Sequence, residues 1–380
     1  MARVLMPAFR LGTIRLRRTV HRWSSLGCTL FLLLSCVTGL PMIFSDEIDE
    51  LMAPPAMLRG PAVKVDPPSL DGMITVAAAR YPQEKVRFVF FDKDERQVKV
   101  VLGPADMPDR RRDHPLVFDA DSGMLLDEPL PVASRRLSVM GVLNRLHTDL
   151  FAGFAGEMLM GFVGVLFVVA IISGVVLYAP YMKRLSFGTL RQRNSRIRWL
   201  DLHNLTGIVI AVWLAVVGAT GVLNEVSKPL AALWRAGEAG RFGSGDHVPL
   251  GRGDSASVDA VFAKVRDALP ENNVTSIIFP SRTFNNPRHF LVWSNGNTPL
   301  THRLFSAAFV DAASGKLASV AQMPGYLRAL QLSRPLHFGD FGGMPLKVVW
   351  AFLDVIAILV LVSGFLLYAK RSKEIGNTLA

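Results

Sequence analysis

The sequence predicts an α-helical membrane protein with four transmembrane helices in two tandem repeats, each repeat carrying a small extracytoplasmic α+β module between its two spans. Three observations lead there. Half of the 380 residues are hydrophobic, and four long stretches are nearly free of ionisable side chains. Lysine and arginine crowd the segments that flank those stretches on one side. The second half of the chain also repeats the first.

The apolar stretches are Ser24–Ser45, Met158–Met182, Asn204–Asn224 and Val348–Ala369, the last interrupted only by Asp354. Each is close to the roughly 20 residues that a helix needs to cross hydrocarbon. A helix that is apolar on every side for that length is not a surface helix of a soluble domain.

Orientation follows from the basic residues. Arg3, Arg10, Arg15, Arg17, Arg18 and Arg22 precede the first span without an acid among them. Lys183, Arg184, Arg191, Arg193, Arg196 and Arg198 lie between spans two and three against Asp201, and Lys370, Arg371 and Lys373 follow span four. These segments are expected in the cytoplasm by the positive-inside rule. The net charge of +11 is then mostly topology, and nucleic-acid binding is not needed to explain it. A long basic tail, a span-length apolar run and no small-residue cleavage site give an uncleaved first span rather than a signal peptide. The two cysteines, Cys28 and Cys36, both lie in that span, so they cannot staple the outer modules, and no C-x-x-C-H is present for covalent c-type haem.

Self-comparison supplies the organisation. At an offset of 190 residues, segment 146–179 lies on 336–369 without a gap, matching Leu146 with Leu336, His147 with His337, Phe151 with Phe341 and Ser173-Gly174 with Ser363-Gly364. At an offset of 182, His21 lies on His203 and Thr38-Gly39 on Thr220-Gly221. The unit is therefore span, outer module, span. The modules match as well. "SLDGMITVAAARYP" (69–82) and "SVDAVFAKVRDALP" (257–270) each begin with a serine cap and carry apolar residues at helical spacing. Strand-like text follows each, ending in "VFDADSGMLL" (117–126) or "FVDAASGKLA" (309–318), where Ser-Gly reads as a hairpin turn. The expected organisation is a cytoplasmic tail (1–23), span one (24–45), module one (46–146), span two with its preceding histidine segment (147–182), and a cytoplasmic loop (183–202). Span three (203–224), module two (225–336), span four with its histidine segment (337–369) and a cytoplasmic tail (370–380) complete it.

Each span has a histidine at its entrance. His21 and His203 begin spans one and three at the cytoplasmic edge, while His147 and His337 precede spans two and four at the outer edge. A parallel repeat puts a pseudo-two-fold axis along the membrane normal, pairing His21 with His203 and His147 with His337. Two facing imidazoles inside a helical bundle are what a bis-histidine b-type haem requires. Gly153, Gly339, Gly342 and Gly343 are expected to let backbone approach the macrocycle, and a position near a helix N-terminus favours the neutral imidazole. The competing account is four structural histidines preserved by shared ancestry of the halves. His114, His247, His289 and His302 fall in the soluble segments and read as surface or substrate-domain residues.

Arg22, Arg145 and Arg334 adjoin the paired histidines, and guanidinium forks suit haem propionates; arginines snorkelling to a membrane surface would look the same. Asp354 is an ionisable group deep in a span, which by default is functional. It either carries protons or holds an internal hydrogen bond, unless burial simply keeps it neutral.

The twofold span–module–span layout, the "LH…G" openings of spans two and four and the "D-x-x-SG" strand turn resemble the PepSY-associated transmembrane family. Within it the chain is similar to bacterial inner-membrane ferrisiderophore reductases of the ferrioxamine type, from about Arg10 to Arg371. The resemblance implies PepSY-like modules in the periplasm and two haem b groups with His21, His203, His147 and His337 as axial ligands. It also implies a ferric siderophore as electron acceptor. The chain has no glycine-rich dinucleotide fingerprint, so the donor is expected to be a quinol or a separate reductase. The acceptor is expected to dock between the two outer modules. Two other readings stand beside this one. One is a non-enzymatic membrane binding or regulatory protein; the other is a proton-coupled transporter using Asp354.

Overall fold

The computed structural model describes residues 11–379 except 53–55, 59–60, 93–94, 105–109, 132–133, 135–137, 183–184, 243–254, 282–286 and 299–300. Of the residues singled out above, Arg3, Arg10, Lys183, Arg184 and His247 lie outside the described residues, as do the side chains of Arg371 and Lys373. The elements in order are α1 (Leu11–Met42), α2 (Ser45–Leu51), α3 (Leu70–Arg80), β1 (Glu84–Asp92), β2 (Gln97–Pro104), β3 (His114–Asp119), β4 (Leu125–Asp127), α4 (Val139–Thr148), α5 (Phe154–Met182), α6 (Ser195–Val209), α7 (Ala211–Glu225) and α8 (Ser227–Phe242). They continue as α9 (Val258–Ala268), β5 (Asn272–Ile278), β6 (His289–Gly296), β7 (Phe305–Asp311), β8 (Leu317–Ala321), α10 (Gly325–Phe338) and α11 (Gly343–Leu379). The chain divides into two compact units. One gathers residues 1–51, 137–228 and 333–380, the other residues 52–136 and 229–332.

The first unit is helical. Ile14–Met42, Phe154–Pro180 and Asp340–Lys370 are each long and apolar enough to cross a membrane. The expected third span is not one straight helix: α6 and α7 meet at a bend of 68°. No glycine or proline marks the break. It falls at Ile210, which is almost fully buried in one cluster with Leu214 and Ala357, so tertiary packing and not a local breaker accompanies the bend.

The expected second and fourth spans also differ from continuous helices through their histidines. A short helix comes first in each case, α4 or α10, and a tight turn separates it from the long helix. Leu150 (φ 52°), Phe151 (φ 61°) and Gly153 (φ 60°) make one turn, and Gly339 (φ 74°) and Gly343 (φ 61°) bound the other. Such left-handed residues cannot continue a right-handed helix. At the first turn the Asp149 carboxylate accepts the Phe151 amide at 2.8 Å, compensating a donor that the helix has released.

The second unit is built on one eight-stranded antiparallel sheet in the order β4-β3-β2-β1-β5-β6-β7-β8. The two repeated modules are thus not separate sheets. They join edge to edge through β1 and β5, with Val89 opposite Ile277. This joining leaves β1 and β5 without the open edges that invite unwanted pairing. Alternation along β2 sends Val98, Val100 and Leu102 to the core face, and α3 (Met73, Ala77) and α9 (Val261, Val265) cover that face. The opposite face, over β6–β8, packs Ala307, Phe309 and Ala321 with Trp234 of α8 and Leu327 of α10.

Both serine caps form as the sequence indicates. Ser69 Oγ accepts the Gly72 amide and Ser257 Oγ the Ala260 amide, each at 3.2 Å. The two "D-x-x-SG" turns also form. Gly123 (φ 70°) and Gly315 (φ 66°) supply the left-handed residue, while Asp119 and Asp311 accept the amides of Ser122 and Ser314.

Candidate metal centres

All four entrance histidines belong to the helical unit, and they meet in the pairs that the self-comparison indicates. The rings of His21 and His203 have centroids 6.4 Å apart, and those of His147 and His337 are 6.2 Å apart. Two metal–nitrogen bonds of about 2 Å, plus the radii of two five-membered rings of about 1.1 Å each, put coaxial imidazoles about 6.2 Å apart. Both separations are the size that one metal ion shared by the two rings would need. The interplanar angles of 59° and 73° do not count against this, because each ring plane can turn about a shared nitrogen–metal–nitrogen axis.

Every ring is held in the same way by a neighbouring helix. His21 Nδ1 lies 2.9 Å from the Ala170 carbonyl and 3.2 Å from Ser173 Oγ on α5. His203 makes these contacts with Val360 (3.0 Å) and Ser363 (3.1 Å) on α11. His147 makes them with Ser35 (3.0 Å) and Thr38 (3.2 Å) on α1, and His337 with Val217 (3.0 Å) and Thr220 (3.2 Å) on α7. A carbonyl can only accept. The four hydroxyls already donate to backbone carbonyls, at Val169, Val360, Leu34 and Val216. Nδ1 must therefore carry the proton in all four rings, which leaves the Nε2 lone pair available to a metal.

One residue after each hydroxyl stands a glycine. A Cβ at Gly39 would lie 3.0 Å from His147 Cε1, at Gly174 3.1 Å from His21 Cε1, and at Gly221 and Gly364 3.2 Å from His337 and His203 Cε1. The cradle is thus a carbonyl, a Ser or Thr three residues on and a Gly after it, all on one helical face. Sequence comparison had aligned these Ser/Thr-Gly pairs without assigning them a task. Their fixed spacing along each facing span was the signal.

Two expectations about the histidines are corrected. Two of the glycines expected at a cofactor face have other surroundings, since a Cβ at Gly339 would strike the Trp350 ring and one at Gly342 would press on Leu346; beside Gly153 and Gly343 nothing lies within 4 Å. His147 and His337 are also not at helix N-termini. They fall in the last turns of α4 and α10, so the neutral imidazole is set by the Nδ1–H bonds rather than by a helix dipole.

The three arginines differ. Arg22 lies over the Trp23 ring at 5.1 Å, and its Nε is buried without a partner, a donor suited to a carboxylate. Arg145 stacks on Phe151 at 4.5 Å, with Nε 3.8 Å from Asp149. Arg334 is exposed on α10. Asp354 is buried in α11, and the Cys36 thiol of α1 hydrogen-bonds to its carboxyl group. On α6, Asp201 is buried and grips Arg191 of the preceding basic loop at 2.8 Å.

Among the described residues no group of three or more His, Cys, Asp or Glu side chains converges.

The model of the PepSY-associated TM region matches residues 18–371. The chain belongs to the PepSY-associated transmembrane family. As a member of that family it is a membrane protein, and both histidine pairs fall inside the matched region. The chain is also 34% identical over 88 residues to an uncharacterized protein of Pseudomonas aeruginosa, PA4219. That match covers 23% of this chain and 22% of the relative.

Proposed function

We propose that this PepSY-associated transmembrane protein is a di-haem reductase of the bacterial inner membrane. In this reading His21 with His203, and His147 with His337, hold two haem b groups, and electrons pass across the bilayer to a ferric siderophore, releasing Fe(II). The observation that carries it is the separation of 6.2 and 6.4 Å between facing rings whose Nε2 atoms are left free. The donor set fits haem. Two axial nitrogens without further protein ligands suit a metal whose equatorial positions a macrocycle fills. Arg22, with its unpartnered Nε, would hold a propionate of the first group; Arg145 and Arg334 are the candidates at the second. When bound, haem b supplies a one-electron Fe(III)/Fe(II) couple at each pair.

The chain's own residues orient the imidazoles, fix their tautomer and separate the two pairs. On α1, His21 and the Ser35–Gly39 cradle of His147 are roughly 14 to 18 residues apart, about 21–27 Å at the helical rise. That approaches the roughly 30 Å of the hydrocarbon core. We take the bent α6–α7 pair as one membrane span, the third of four along the chain, and the two halves as tandem repeats. Basic flanks then put both termini in the cytoplasm, the sheet unit in the periplasm and the helices in contact with lipid. Hydroxamate and catecholate oxygens favour hard Fe(III) over Fe(II), so one electron loosens the metal. The siderophore as acceptor, and a quinol or separate reductase as donor, rest on the resemblance to ferrisiderophore reductases.

A reduced-minus-oxidised absorbance spectrum of the protein purified from haem-replete cells tests the reading. A b-type signal is expected, with about half of the haem lost in His337→Ala. A colourless preparation ends it and leaves the two alternatives, a non-enzymatic binding or regulatory protein and a proton-coupled transporter. Unchanged haem in both His337→Ala and His147→Ala removes the second pair from the assignment.

A further inference from the structure

Asp354 has no task in the reading above, yet it is the acid that interrupts the most continuous apolar stretch of α11. It lies 14 residues into the Asp340–Lys370 stretch and is buried. Its Oδ2 has no hydrogen-bond partner, and among the described residues no lysine or arginine forms an ion pair with it. An unpaired carboxylate in such surroundings is costly unless a positive charge lies nearby or a proton neutralises it. Its contact with Cys36 is informative. Asp354 meets Cys36, and the peptide bond that joins Ser35 to Cys36 carries the carbonyl that accepts the Nδ1–H of His147. The acid therefore sits one residue away from the cradle of the second histidine pair.

A partly buried ion pair lies further along the same helix. Lys347 lies seven residues before Asp354, two turns up the same face, and is also buried. Its Nζ holds both carboxylate oxygens of Glu47 on α2, at 2.8 and 2.9 Å, and lies 3.6 Å from Asp46. The chargeable groups facing Asp354 are few. From α1 it is Cys36, from its own helix Lys347 with the acids of α2, and from α6 His203, two to three turns away on Val360 and Ser363. The cluster around it (Ile210, Leu214, Ala357, Phe167, Trp213) is apolar apart from the indole N–H of Trp213, which is likewise buried without a partner.

We infer that Asp354 is a redox-linked proton site of the His147/His337 centre, binding one proton when that centre gains one electron and releasing it when the electron leaves. The inference rests on the proposed haem ligation. The balance is simple: one electron arrives from the donor, one proton arrives from water by way of the Glu47–Lys347 pair, and the only bond made is O–H on Asp354. The oxidised centre carries one more positive charge than the reduced one, so the carboxylate is stabilised in the first state and protonated in the second. Uptake of the proton keeps the net charge of this apolar layer constant while the electron passes.

The test is a redox titration of the purified holoprotein at several pH values, read by haem absorbance, with redox-difference infrared spectra of the same samples. Wild type is expected to show a midpoint potential of the second centre that falls as pH rises, and a protonated-carboxyl band that appears on reduction. In Asp354→Asn both are expected to be lost, with full haem content as the control for folding. Lys347→Met is expected to keep the pH dependence and slow the protonation. A pH-independent potential in wild type, or an infrared band that survives in Asp354→Asn, overturns the inference while leaving haem ligation intact. Absence of haem from wild type overturns the proposed function itself.

Discussion

Asp71 and Asp259 cap each other's helices. The Asp71 carboxylate accepts the Val258 amide at 2.8 Å and the Ser257 hydroxyl at 2.5 Å, at the start of α9. The Asp259 carboxylate accepts the amides of Leu70 and Asp71 at 2.9 and 3.0 Å, at the start of α3. Each acid sits in the first turn of its own helix and serves the first turn of the other. An anion among unsatisfied N–H groups is stabilised both by hydrogen bonds and by the helix dipole. Two helices contributed by distant parts of the chain are thereby locked side by side on one sheet.

This reciprocity makes each aspartate a stability determinant. Asp71→Ala and Asp259→Ala are each expected to destabilise the sheet unit by about 1–2 kcal/mol, the range for loss of a helix cap. Denaturant unfolding of the purified chain, followed by the exposure of tryptophans such as Trp234 and Trp293, checks it. An unchanged midpoint in both variants would show that the caps contribute nothing.

The glycine cradles should separate the two centres. Gly39→Val crowds His147 and is expected to empty the second centre, whereas Gly174→Val crowds His21 and empties the first. Each variant should retain about half the haem, and outer-sphere changes of this kind typically cost about 10–100-fold in metal affinity. Haem per protein, read after extraction, measures it. Equal loss from both centres in either variant would contradict the pairing of cradle with ring.

Arg22→Gln tests the carboxylate partner. Removal of a charge-assisted bond at a buried site costs roughly 1.5–3 kcal/mol, so haem affinity at the first centre is expected to fall by about 10–100-fold. Competition with apo-myoglobin reads it. The second centre should not change.

The "D-x-x-SG" turn of β7 gives a pH dependence. Burial pushes the Asp311 carboxyl up, but the Ser314 amide and hydroxyl and the Arg288 guanidinium outweigh it and bring it down to about 2. A depressed folded value means that stability is present above the unfolded value of about 3.9 and is lost as pH falls through the folded one. Asp311→Asn is therefore expected to flatten the acid limb of the unfolding profile between about pH 4 and pH 2. A limb as steep as wild type would refute it.

Much of this was readable because repetition makes a weak pattern strong. One histidine at a span entrance says little, but His21 over His203 and His147 over His337 identify the pairs from the repeat alone. The serine caps at Ser69 and Ser257 and the turns at Gly123 and Gly315 were equally legible, since each depends on side chains within three residues of the backbone they serve. The glycines that touch the histidines were not legible for a related reason. Gly153, Gly339, Gly342 and Gly343 are close to the histidines along the chain, whereas Gly39, Gly174, Gly221 and Gly364 are close only in space.

The sequence by itself determined that the chain enters a membrane and which histidines correspond, because hydropathy and self-similarity are properties of the chain alone. Only the tertiary structure decided that α6 and α7 bend at Ile210 and that two modules share one sheet through Val89 and Ile277. It also decided that each ring's Nδ1 proton is committed to a carbonyl on a neighbouring helix. All three depend on groups more than a hundred residues apart, or on packing that no local residue announces. The direction in which a histidine lone pair points is set by what stands behind it, and what stands behind it comes from elsewhere in the chain.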